Sequence, residues 1–300
     1  MKKVVIVLAL MCLAILLYGI SKTETFHETY KVKKNAPITI KNINGSVQIT
    51  SWDKDYVDVV ATKKTTKKES ELEEVEIVVL EEDGLSIETK HLKKNPKVSV
   101  SYELSVPTNV VLKSIRSSNG SISIESVGEI EDVKTSNGSV TILKSFGDIN
   151  IITSNGTIIV DNISGDVIAK TSNGRIKASN IDGLVDAHTS NGSINLINVA
   201  AISRAKTSNG SIKAQILQVV SDLSLTTSNG SINVYLNPDL DADIKANTSN
   251  GRIKLHDVSV YASDISKSNL YGQIGDGGNL LKIRTSNASI HIYDDDKIEF

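Results

Sequence analysis

The chain of 300 residues carries 33 basic and 35 acidic side chains, a net charge of −2, with 39% hydrophobic and only 4% aromatic residues. Charges this evenly matched exclude a global field that would draw nucleic acid, so no nucleic-acid partner is expected. The single cysteine, Cys12, excludes a disulfide framework and a thiolate metal site, which leaves packing and hydrogen bonds to hold the fold.

In chain order, Met1-Lys2-Lys3 precedes 17 uncharged residues, 4–20. That run approaches a bilayer span, and no small-x-small cleavage site follows Leu17. Residues 1–21 therefore read as an uncleaved signal anchor, a single transmembrane helix in the cell membrane, with a cleaved signal and secretion as the alternative. Lys2 and Lys3 place the N-terminus inside and the remainder outside the cytoplasm. Residues 22–36 are polar and read as a short stalk.

Over 37–116 the pattern is β-rich but irregular. Ile38, Ile40, Val47 and Ile49 alternate around Asn44-Gly45, and Val57, Val59 and Ala61 alternate next. The charged segment from Lys63 to Glu74 reads as a solvated flank. Asp83-Gly84 joins two short strands as a hairpin. This region is expected to supply the first, atypical coils and an edge hairpin that blunts an open end.

From 117 to 300 a regular repeat takes over. Thr-Ser-Asn-Gly or a close variant recurs around Asn119, Asn137, Asn155, Asn173, Asn191, Asn209, Asn229, Asn250 and Asn287. The spacings are five of 18, then 20, 21 and 37, and the 37-residue gap is expected to hide a degenerate coil. Counting from each Asn, apolar residues fall at +3 and +5 (Ile176 and Ala178, Ile194 and Leu196), often at +8, and again near +12 and +14. Each copy thus holds two period-2 strands, with a bend near +8 and turns between.

Near-identical copies favour parallel stacking over an antiparallel meander, because stacking repeats one good Asn contact at about 4.8 Å. The expected fold is all-β: a right-handed parallel β-solenoid (β-helix) of about 18 residues per coil, preceded by the membrane helix. The nine Asn residues are its structural turn ladder, with Asn and Gly chosen for positive φ. The threonine two places before each Asn, from Thr135 to Thr285, points inward or to a corner.

The Asn-Gly-Ser-Ile repeats resemble the bacterial "putative adhesin" family of β-strand-repeat proteins, a domain of unknown function. Ile38-Thr39-Ile40 with Asn44-Gly45-Ser46-Val47, and Tyr102 to Pro107, carry the resemblance ahead of the repeats. It spans about residues 30–300 and implies a β-solenoid at the cell surface or in the envelope. Some relatives are associated with envelope stress, and the family supplies no catalytic residues.

No catalytic, cofactor-binding or metal site is expected. His27, His91, His188, His256 and His291 share no metal-ligand spacing, and Asp148, Asp166 and Asp182 stand singly, one per copy. The expected function is a non-enzymatic, membrane-anchored envelope protein that presents a rigid surface to a polymer or protein partner. Its alternatives are a carbohydrate-active β-helix enzyme of the polysaccharide-lyase type and a purely structural spacer.

Overall fold

The computed structural model describes residues 21–295. The expected anchor and the membrane contact over residues 4–20 therefore lie outside the described residues. Among the described residues, no helix is long and apolar enough to cross a membrane. They form an all-β protein in two compact units, parted between Gly147 and Asp148.

In the first unit the strands are β1 (Lys22–Lys31), β2 (Pro37–Lys41), β3 (Val47–Trp52), β4 (Tyr56–Thr65), β5 (Val75–Glu81), β6 (Leu85–His91), β7 (Val98–Pro107), β8 (Val111–Arg116), β9 (Ile122–Glu125), β10 (Glu129–Lys134) and β11 (Val140–Phe146). β2 runs parallel to β8, and β3 to β9, so the copy around Asn44 stacks directly on the copy around Asn119. The intervening chain folds outside it. β6 and β7 pair in parallel with β2 and β3, while β5 closes an antiparallel hairpin on β6. That is the edge hairpin expected around Asp83-Gly84.

The stalk expectation for 22–36 is corrected. Lys22–Lys31 is a full strand, antiparallel to β4 over ten residues, which is in turn antiparallel to β7. Apart from buried Tyr30, its side chains are exposed or half-buried, so few apolar residues were needed and none flagged it in sequence. The charged flank forms a short 3₁₀ turn, Glu69–Glu74, pinned by buried Leu72.

The second unit comprises β12 (Ile149–Ile152), β13 (Ile158–Ser164), β14 (Val167–Lys170), β15 (Ile176–His188), β16 (Ile194–Lys206), β17 (Ile212–Ile216), β18 (Leu223–Thr226), β19 (Ile232–Leu236), β20 (Ala242–Thr248), β21 (Ile253–His256), β22 (Tyr261–Ile265), β23 (Asn269–Ile274), β24 (Leu280–Thr285) and β25 (Ile290–Asp294). Successive copies pair in parallel at an 18-residue offset, for example Ile158↔Ile176↔Ile194↔Ile212. A second ladder runs Val167↔Val185 and Ala169↔Ala187. Because strand side chains alternate, like residues pile inward and the +3, +5, +12 and +14 positions become the core. Ile176, Ala178, Val185 and Ala187 are all fully buried.

The end of the stack is not in chain order. β24 lies between β18 and β20, and β25 between β19 and β21. The expected degenerate coil within the 37-residue gap is absent from the described residues. Residues Tyr261–Ile274 instead form an antiparallel hairpin, β22–β23, whose second strand runs antiparallel to β20. Asn269 opposite Asn247 and Ile274 opposite Ala242 fix its register. The last copy then returns inside the copy that precedes it.

Candidate functional site: the outward rows of the second unit

The turn ladder sets the precision of everything on the surface. In the second unit Asn173 Nδ2 donates to Asn155 Oδ1, Asn191 to Asn173, Asn209 to Asn191 and Asn229 to Asn209, each at 2.7 Å. Asn287 then donates to Asn229 at 2.6 Å and Asn250 to Asn287 at 2.7 Å. In the first unit Asn137 bonds Asn119, and Asn119 bonds Asn44, both at 2.7 Å. All nine expected ladder residues are thus at the turns, and Asn44 adds a tenth.

Behind them the threonines point inward. Thr189 Oγ1 donates to Gly174 O at 3.0 Å in the neighbouring copy and accepts from Gly192 N–H at 3.2 Å in its own. Thr207 and Thr171 repeat that pair of bonds.

The positive φ expected of the ladder Asn and Gly is corrected. No ladder Asn has positive φ, and among the turn glycines only Gly45 does, at 110°. Elsewhere close approach decides: a Cβ on Gly174, Gly192 or Gly210 would overlap the carbonyl oxygen of the glycine one copy away. Positive φ belongs instead to the bend at +7, where Ser126, Lys144, Asn162, Asn180, Asn198 and Asp257 all lie between 51° and 60°. Asn and Asp tolerate that region best.

Held this way, outward side chains form straight rows. One ladder of the second unit carries Lys170, His188, Lys206, Thr226, Arg284 and Asn247 side by side. Two residues earlier on each strand stand Ile168, Asp186, Arg204, Ser224, Lys282 and Lys245. Six cations therefore share a band with Asp186, and Asp243 stands at one end. Arg204 is tied to Asp186 through Nη2 at 2.6 Å and Nε at 3.1 Å. That bond holds the guanidinium above its ordinary pKa. Among the described residues, Lys170, Lys206, Lys245, Lys282 and Arg284 have no carboxylate partner. His188 lies below its ordinary pKa, through partial burial first and then the charges of Lys206 and Arg204. The equivalent cations of the first unit are more often neutralised: Lys41 meets Glu88 at 2.6 Å and Arg116 meets Asp132 at 3.2 Å.

The other ladder of the second unit is different in kind. Tyr235, Tyr293 and His256 stack at 5.0 and 4.3 Å between ring centroids, and His256 Nε2 lies 3.2 Å from His291 Nδ1. Beside them a cavity of about 460 Å³ is lined by Lys177, Asn195, Asn198, Lys213 and Gln215, among others. Desolvation, then Lys254 and His256, lower the pKa of His291. The pairing of His256 with His291 was hidden in the sequence because the 37-residue gap suggested a coil between their copies and the two stand at different positions, +6 and +4. The basic rows did leave a signal: Lys170, His188 and Lys206 recur at 18-residue intervals.

Among the described residues, no three His, Cys, Asp or Glu side chains group as a metal site. The geometry is that of an all-β repeat protein with parallel in-register strands and side-chain rows on its outside. The chain belongs to the Toastrack DUF4097 family, whose model matches residues 31–293.

Three solved structures are similar. A putative adhesin from Bacteroides fragilis shares 14% identity with a TM-score of 0.43, covering 90% of this chain and 97% of its own. A putative cell adhesion protein from Clostridium sporogenes shares 12% with a TM-score of 0.20, covering 90% and 100%. A putative lipid binding protein from Parabacteroides distasonis shares 15% with a TM-score of 0.36, covering 89% and 96%. These likenesses are too distant to carry a function. A comparison with curated proteins finds no match.

Proposed function

We propose that this chain is a non-enzymatic, extracytoplasmic surface protein, anchored in the cell membrane through residues 4–20, that holds another envelope macromolecule on a rigid face. Its repeats wind as a parallel β-solenoid, right-handed as nearly all parallel crossovers are. The observation that carries the reading is the basic band of the second unit. Five cations without carboxylate partners among the described residues share this face in a chain whose net charge is −2. Gathering like charges on one face costs stability through repulsion, so their concentration there favours a role in attracting a partner. The Asn and Thr ladders supply the rigidity, which lowers the ordering cost of binding.

The test is co-sedimentation of the full chain with isolated bacterial cell envelopes. Saturable attachment that salt weakens is the expected result. A chain that stays in the supernatant, or that releases reducing ends from soluble polysaccharide, would overturn the reading, the second outcome in favour of the carbohydrate-active alternative.

A further inference from the structure

The basic band is not uniform. β16 presents Arg204 and Lys206, β24 presents Lys282 and Arg284, and β18 between them presents only Ser224 and Thr226. Those two hydroxyls are half-buried, whereas the four flanking cations are exposed. Ser224 Oγ and Thr226 Oγ1 lie 3.1 Å apart. Short side chains between long ones make a slot two strand spacings wide, about 9–10 Å, with hydroxyls on its floor and cations on both walls.

We propose that this slot seats the anionic groups of a linear polymer, a polyphosphate or polycarboxylate chain without bases, lying along the ladder axis. The inference rests on the surface-binding reading above and names its ligand class.

Three observations choose that class. First, the band is long and thin. It runs from Lys170 on β14 to Lys245 on β20, five spacings or about 24 Å, yet has only two outward rows about 7 Å apart. A thread fits that outline better than a plane of headgroups. Second, the floor offers donors to an anion. Guanidinium and ammonium groups supply charge, and hydroxyls supply neutral hydrogen bonds beneath it. Third, among the described residues the slot itself has no aromatic ring for stacking a base. The band's rings are His188, two strands away on β15, and Tyr271 on β23, whose centroid already lies 4.9 Å from Lys245 Nζ. Single-stranded nucleic acid is bound through such platforms.

The acids nearby do not close the slot. Asp186 is engaged by Arg204, and Asp243 accepts from Gln273 Nε2 at 3.3 Å. Asp166 and Asp222 lie at the turns, where they accept the backbone N–H groups of Leu184 and Leu280 at 2.8 and 3.0 Å. His188 is the remaining titratable group on the band, beside Lys170 and Lys206.

The test is titration of the full chain with inorganic polyphosphate, polygalacturonate and oligothymidylate at about 0.15 M salt. Saturable binding to either of the first two is expected, and the stronger one identifies the anionic group. Lys282→Gln with Arg284→Gln should weaken it at least about tenfold. Ser224→Glu should abolish it by placing a carboxylate on the floor. Lys177→Gln with Lys254→Gln, on the other ladder, should leave it unchanged. Circular dichroism confirms that each variant is folded. Binding to neither polyanion, equal weakening by both paired variants, or tighter binding of oligothymidylate would overturn the proposal. If envelopes still capture the chain while these polyanions do not, the ligand assignment falls and the surface reading stands. If envelopes also fail, both fall.

Discussion

At the scale of single residues, three side chains of each repeat divide one task. Asn ties the outside of the turn to its neighbour, Thr ties the inside, and Gly lets the two backbones close. Thr189→Ala removes one bond to Gly174 O and one from Gly192 N–H, so a loss of about 1–2 kcal/mol is expected in chemical denaturation. Ser117 holds the same place in an earlier copy, but its buried hydroxyl has no partner, because Asn42 Nδ2 already donates to Gly45 O. Ser117→Ala is therefore expected to be neutral or slightly stabilising, and equal costs for the two substitutions would refute this division of roles.

The glycine explanation is testable in the same way. Gly192→Ala should cost about 1–3 kcal/mol, because backbone must shift one copy away. Ala288 occupies the corresponding place in the last copy, so Ala288→Gly should be neutral or stabilising. The Asn-Gly pattern was readable in the sequence, but its cause was not. Positive φ is a local property that a turn signature suggests, whereas close approach between copies exists only once they are stacked.

At the scale of elements, the strands follow their alternation wherever one face is buried. Ile176 is fully buried and pairs with Ile158 and Ile194. Ile176→Asp is expected to destabilise by several kcal/mol, since an unpaired carboxylate would lie in an apolar layer. A variant whose urea midpoint matches the parent would remove Ile176 from the core. Elements that depend on long-range pairing were illegible. β1 carries Lys, Glu and Thr with few apolar residues, so only its partner β4 makes it a strand. The swap of β24 and β25 into the stack could not be read either. Leu281 and Ile283 of β24 and the +3 and +5 isoleucines of β25 look like those of any other copy, and nothing local says which neighbours they will meet. The basic rows fall between these cases: recurrence of Lys170, His188 and Lys206 was visible, but a row becomes a face only when copies align side by side.

At the scale of the whole molecule, near-neutral net charge conceals an uneven distribution, with cations gathered on one ladder of the second unit. This has a consequence for stability against pH. His188, His291 and His91 all lie below the ordinary value of 6.5, His188 through partial burial and then neighbouring cations. Between the lowered folded values and 6.5 the unfolded chain binds more protons. Stability is then present in full above about 6.5 and falls as pH drops through the folded values. The denaturant midpoint should decline between pH 7.5 and 5.5, and His188→Asn should flatten part of that slope. A midpoint that rises over this window would contradict the sign.

All of these expectations assume that neighbouring copies run in the same direction with like residues side by side. Cross-linking tests this most directly. Cysteines placed by Asn173→Cys and Asn191→Cys, in a chain carrying Cys12→Ser, replace two ladder amides now joined at 2.7 Å. Adjacent in-register strands put their Cα atoms about 4.8 Å apart, within the roughly 4.4–6.8 Å a disulfide spans. Mild oxidation should give a near-complete intrachain bond, seen as a mobility shift that reductant reverses. A folded chain whose two thiols stay free under the same oxidant would contradict the stacked arrangement.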